Sequence, residues 1–136
     1  VESCTAGMLA SQISSIPGAS AYYEGALLTY SYKIKTSLAN VPADLILKEG
    51  AVSEPVAIQM AENGRDILGA DICISTTGIA GPGGGTETKP VGMVWIAIAT
   101  KDGTTTKKMQ FSKHRERNIK MTVLSALNLL RLELRK

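Results

Sequence analysis

The chain of 136 residues is poor in the side chains on which several kinds of catalysis depend. It holds one histidine, His114, two cysteines, Cys4 and Cys73, one tryptophan and one phenylalanine. No two His or Cys residues stand at metal-ligand spacing, so a zinc hydrolase lacks its ligand set and neither metal nor cofactor is expected. His114 stands among Lys113, Arg115 and Arg117, cations that disfavour its protonation, and a Ser-His-Asp triad is not the arrangement the sequence favours. The cysteines are far apart and form no Cys-x-x-Cys pair, which fits reduced thiols. No apolar run approaches the ~20 residues that span a bilayer, and no basic-apolar-small leader is visible. The expectation is a cytoplasmic protein without membrane contact.

What is present describes one domain, residues 1–136. A hydrophobic fraction of 44% and a charged fraction of 20% are those of a globular protein able to bury a core without disulfides. The net charge of +3 is unevenly spread: residues 101–136 carry ten Lys/Arg against three Asp/Glu, residues 1–100 five against nine. A basic C-terminal segment suits phosphate or nucleic acid. Its only aromatic is Phe111, however, so base stacking has no platform and nucleic acid is not the expected partner.

The most distinctive stretch runs from Ser75 to Gly92, where a Gly/Pro/Thr-rich segment joins two apolar runs. It lacks the Gly-Lys-Ser/Thr ending of a nucleoside-triphosphate loop. The dinucleotide fingerprint fails as well, because Thr86 stands where the third glycine belongs and Pro90 follows. Bare backbone at a strand end can still floor a binding site; a flexible connection is the alternative.

Periodicity supplies the elements. Thr5 to Ile16 reads as a helix with free N–H groups near Ser3, Cys4 and Thr5 that would attract an anion or a carbonyl oxygen. Gly25 to Tyr30 reads as a strand, Tyr32 to Leu38 as a helix closed by Asn40, and Pro42 to Lys48 as another. A longer helix over Glu54 to Leu68 is bounded by Ser53, Pro55 and Gly69. Strands over Asp71 to Thr77, Val91 to Thr100 and Thr104 to Phe111 follow, the last two joined by an Asp102-Gly103 hairpin turn. Glu116 to Leu134 closes the chain as a helix. The predicted fold is α/β: a three-layer α/β/α sandwich on a mixed, mostly parallel sheet with one antiparallel strand.

Tyr30 and Lys35 flank a strand-to-helix turn and Ser20 precedes the same strand, so a lysine desolvated in a pocket could activate a serine hydroxyl. Ser20 as a helix cap and Lys35 as a solvated residue are the alternatives. The blocks Glu2-Ser3-Cys4-Thr5-Ala6-Gly7, Gly18-Ala19-Ser20-Ala21-Tyr22-Tyr23, Thr29-Tyr30-Ser31 with Lys35, Gly50-Ala51-Val52-Ser53-Glu54, Thr77-Gly78-Ile79-Ala80-Gly81-Pro82, Lys89-Pro90-Val91-Gly92 and Phe111-Ser112 before Arg115 resemble, in order, the C-terminal domain family of competence/damage-inducible protein CinA, which includes nicotinamide-nucleotide amidase. The resemblance implies metal-free hydrolysis of the carboxamide of nicotinamide mononucleotide (NMN) to nicotinate mononucleotide and ammonia. It makes Ser20 the nucleophile, Lys35 the base assisted by Tyr30, and Ser3, Thr5, Thr77, Gly78, Gly81 and Arg115 substrate contacts, with Arg115 the binding cation. It also implies a further helix and most of a strand ahead of Glu2, and leaves a homodimer open. The family often has glycine where this chain has Ala6, and Gly-Asp where it has Lys113-His114. Cys4, near a helix start, is a rival nucleophile. Two other functional classes stand beside the amidase: a ligand-binding or regulatory module without turnover, and a nucleic-acid-associated accessory protein.

Overall fold

The computed structural model describes residues 1–136. Its sheet has three strands, β1 (Cys73–Gly78), β2 (Met93–Thr100) and β3 (Gly103–Gln110), in spatial order β1-β2-β3. The helices are α1 (Met8–Ser14), α2 (Tyr32–Ala39), α3 (Ala43–Glu49), α4 (Glu54–Leu68) and α5 (Arg115–Glu133), with a 3-10 turn over Ala19–Ala21.

Both strand pairs are antiparallel, with Thr76 opposite Ile96 and Ile96 opposite Lys107. The expected mostly parallel sheet is therefore wrong, although the α/β class holds. The connection Ile79–Gly92 contains no helix, and without a crossover the chain returns antiparallel beside the strand it has just left. Parallel pairing is confined to two single bridges, Glu2 with Thr76 and Glu2 with Leu28. The backbone of Val1–Ser3 lies between them: Thr76 N donates to Val1 O, Ser3 N to Thr76 O, Glu2 N to Leu27 O and Thr29 N to Glu2 O. The expected strand over Gly25 to Tyr30 is thus found as one bridge, at Leu28 with Glu2.

Alternation along β2 splits the core into layers. Val94, Ile96 and Ile98 pack with Leu9, Val123 and Ala126 under α1 and α5, while Ala97 and Ala99 meet Ala57 and Ala61 of α4 on the other face. Small residues on both sides let α4 lie close to the sheet. Gly64 serves the same approach: a Cβ there would overlap Val1 Cγ2 and sit 3.0 Å from Cys73 Sγ.

Helix α1 is shorter than the expected Thr5 to Ile16 and begins after Gly7 without a side-chain cap, while several other helix ends follow their signals. Gly69 ends α4 at φ 61°, and Asn40 ends α2 at φ 52°, both left-handed. Ser31 caps α2 by accepting from Ile34 N at 3.2 Å. Ser53, in the N-cap position of α4, instead donates to Gly50 O at 2.8 Å. No helix is long and apolar enough to cross a membrane.

Candidate active site

The site begins where the Val1–Ser3 segment leaves the sheet. Ala6 and Gly7 take left-handed φ of 47° and 95°, which turns the chain sharply enough to bring the start of α1 back over Glu2. The Glu2 side chain is buried and accepts from Thr5 Oγ1 (2.5 Å), Gly7 N (3.0 Å), Leu9 N (3.1 Å) and Ala10 N (2.7 Å). The helix start expected to draw an external anion is thus filled from within by a carboxylate. Two N–H groups remain: those of Cys4 and Thr5 make no hydrogen bond. They directly follow Ser3.

Lys35 approaches Ser3 from α2. Lys35 and Ala39, one turn apart, form the inward stripe of this helix, and the lysine is 1% exposed. Its ammonium has no carboxylate partner. It donates to Ser3 Oγ at 2.8 Å, Thr29 O at 2.7 Å and, more weakly, Tyr30 O at 3.4 Å. Burial lowers the Lys35 pKa from 10.5 to about 8, which Cys4 opposes in part. When the amine is neutral it can keep donating to the two carbonyls, and its lone pair then faces the Ser3 hydroxyl. Thr29 Oγ1, buried nearby in sequence, has no hydrogen-bond partner.

The other expected residues fall into separate groups. Ser20 is exposed on the 3-10 turn, and its hydroxyl makes no hydrogen bond to Lys35 or to any other group. The Tyr30 phenol makes no hydrogen bond to Lys35 and accepts from Arg115 Nη2 at 3.1 Å, while Arg115 Nη1 donates to Gly81 O at 2.9 Å. Arg115 therefore links the glycine run to the Tyr30 turn with no carboxylate on it. Thr77 is buried and donates to Ala51 O at 2.8 Å; Thr5 is buried between Glu2 and Thr76. These two hydroxyls hold the site's frame. Gly78 ends β1 and its Cβ would lie 2.9 Å from Met93 O, so the close strand crossing accounts for this glycine. Cys4 is buried in the core, and desolvation raises its pKa to about 12; a thiol held neutral is a poor nucleophile.

Two residues with site roles had been given none from sequence. Glu2 belonged to a recognised block, but nothing local showed that its carboxylate turns back onto α1. Asn118 is 1% exposed in the first turn of α5, where its one visible signal is a polar pair with Thr122 four residues on, both on the helix face turned to the core.

Residues 1–134 match the family model of the CinA C-terminal domain. The chain is 51% identical to a CinA-like protein of Cytophaga hutchinsonii, over 99% of this chain and 32% of that protein. It is 45% identical to a putative competence-damage inducible protein of Caldicellulosiruptor bescii, over 96% of this chain and 32% of that one. The chain thus spans about a third of the length of the curated relatives it matches. Among solved structures, competence/damage inducible protein CihA of Agrobacterium tumefaciens superposes with a TM-score of 0.95 at 34% identity, covering 99% of this chain and 82% of that one. A CinA superfamily protein of Escherichia coli gives 0.92 at 34% identity, covering 96% and 77%. By sequence and by fold, this chain belongs to the CinA C-terminal domain family.

Proposed function

We propose that the domain is an amidase that hydrolyses the carboxamide of NMN, with Ser3 as nucleophile and Lys35 as its base. The observation that carries this reading is the buried Lys35 amine, lowered to a pKa of about 8 and 2.8 Å from the Ser3 hydroxyl. Neutral Lys35 takes the Ser3 proton as Ser3 Oγ bonds to the amide carbon. The N–H groups of Cys4 and Thr5 stabilise the resulting oxyanion. Collapse breaks the carbon–nitrogen bond, and the Lys35 ammonium returns its proton to the leaving nitrogen, which departs as ammonia. Water then attacks the Ser3 ester, losing a proton to Lys35, which passes it to Ser3 Oγ as nicotinate mononucleotide leaves. Arg115, unpaired by any acid, takes the substrate phosphate with its planar fork.

Ser20 is the second reading for the nucleophile. In its favour, the hydroxyl is exposed and uncommitted, whereas Ser3 is 7% exposed. Against it, no base is within hydrogen-bond reach. A binding module without turnover has no use for a buried, acid-free lysine, which costs stability at neutral pH. Several basic side chains of the C-terminal segment are engaged locally, Lys120 with Glu116, Lys136 with Glu133 and Arg131 with Asn128, which weakens a nucleic-acid reading. Stoichiometric release of ammonia and nicotinate mononucleotide from NMN supports the amidase. Tight duplex binding with a steep salt dependence and no turnover contradicts it.

A further inference from the structure

The glycine run is held by two successive carbonyls, and both are gripped from the first turn of α5. Gly81 O accepts from Arg115, whose exposed side chain also reaches Tyr30. Ala80 O accepts from Asn118 Nδ2 at 2.9 Å. The same amide group donates to Ser112 O at 2.9 Å, while Asn118 Oδ1 accepts from Ser112 N at 3.1 Å and Ser112 Oγ at 3.2 Å. Ser112 Oγ in turn accepts from His114 N at 3.2 Å, at the residue where α5 begins. Every donor and two acceptor positions of a fully buried carboxamide are therefore used to join the glycine run, the turn after β3 and the start of α5.

Arg115 and Asn118 are three residues apart on one helix face. They differ in what a ligand can do to them. An exposed guanidinium is free to leave Gly81 O for a phosphate, whereas the buried carboxamide has no such choice. We infer that Asn118 is a positioning residue, which keeps the glycine run and Arg115 in register when Arg115 turns to the substrate phosphate. This rests on the amidase reading for its substrate, but the clamp itself is a property of the fold. Asn118→Asp tests it, because an aspartate of the same size keeps both acceptors and loses both donors, setting a carboxylate against Ala80 O and Ser112 O.

With NMN, Asn118→Asp is expected to raise KM about tenfold or more and to leave kcat within about threefold, since Ser3 and Lys35 stand on other elements. With nicotinamide riboside, which lacks the phosphate, kcat/KM should stay within about twofold of the wild type. Independently of turnover, amide exchange at Ile79 and Gly92, which flank the run and donate to Met93 O and Ile79 O, should quicken about tenfold while β2 stays protected. A KM for NMN unchanged beside that of the wild type, or equal losses with both substrates, overturns the inference. If the wild type does not hydrolyse NMN, the amidase reading falls and exchange alone decides: faster exchange confined to these two amides supports the clamp, unchanged exchange overturns it. Should Asn118→Asp fail to fold, Asn118→Ser, which keeps one donor, is measured in the same way, and loss of folding in both places Asn118 in the general core and overturns the inference.

Discussion

Lys35 is where structure and chemistry bear most directly on one another. Its folded pKa of about 8 lies below the 10.5 of the exposed side chain, so the cationic form is penalised in the fold. The unfolded chain binds more protons between those values, and stability from this group rises across the window from about pH 8 to 10.5. The gain, on the order of 3 kcal/mol, is absent below pH 8. We expect chemical denaturation of the wild type to show this rise relative to Lys35→Met; parallel pH profiles for the two would contradict the lowered pKa. The same titration governs activity: kcat/KM should climb with pH to a plateau above about 8, and Lys35→Arg, which stays protonated, should be inactive at every pH. Cys4→Ala should change turnover by less than about threefold, because the thiol is neutral and the cost is one of packing. Ala6, like Asn40, takes a left-handed φ without being glycine. Its left-handed φ of 47° disfavours any side chain, and Ala6→Gly is expected to raise the melting temperature, by about 0.5–1 kcal/mol of stability. A fall would show that the turn's position, not its conformation, matters. Ser3 and Lys35 are 32 residues apart, and no local pattern could have paired them; a desolvated Lys35 was expected and is found, while the resemblance gave Ser3 as a substrate contact and Ser20 as the nucleophile.

At the level of elements, the legible parts were those with local signals. Helix α4 lies at its expected bounds because Ser53, Pro55 and Gly69 punctuate it, and the β2–β3 hairpin follows from Asp102-Gly103. Sheet direction was not legible, since a glycine run between two apolar strands is compatible with either sense until the absence of a crossover helix is seen. The Gly25 to Tyr30 stretch pairs only at Leu28, with Glu2, a contact distant in sequence that local strand propensity does not specify. Gly64 offers a test at this scale. Ala is the better helix former, by about 1 kcal/mol, yet a Cβ would press on Val1 and Cys73. Gly64→Ala should therefore destabilise, by about 1–3 kcal/mol in denaturant titration, and a stabilised variant would contradict the close approach of α4. Arg115→Ala should raise KM for NMN about tenfold or more while leaving the fold intact. Equal effects on the riboside would remove phosphate binding as its role.

In the whole molecule, the sheet joins a frame of buried hydroxyls and carboxylate around Glu2 to three contributors: the α2 lysine, the Tyr30 turn and the Arg115 end of α5. The tight strap from Lys89 Nζ to Glu49 O fastens the far side of the glycine run to the end of α3, so the run is tied to helices on both sides. No carboxylate neutralises Arg115, which suits an anionic group on the substrate. The proposed chemistry turns on attack of Ser3 Oγ, aligned with Lys35, on an amide carbon. Turnover of NMN to ammonia by Ser3→Ala and Ser20→Ala, measured side by side on folded protein, tests it most directly. Ser3→Ala is expected to lose about three or more orders of magnitude in kcat, while Ser20→Ala retains catalysis with at most a weakened KM. Near-normal kcat in Ser3→Ala together with an inactive Ser20→Ala would contradict it and assign the nucleophile to Ser20.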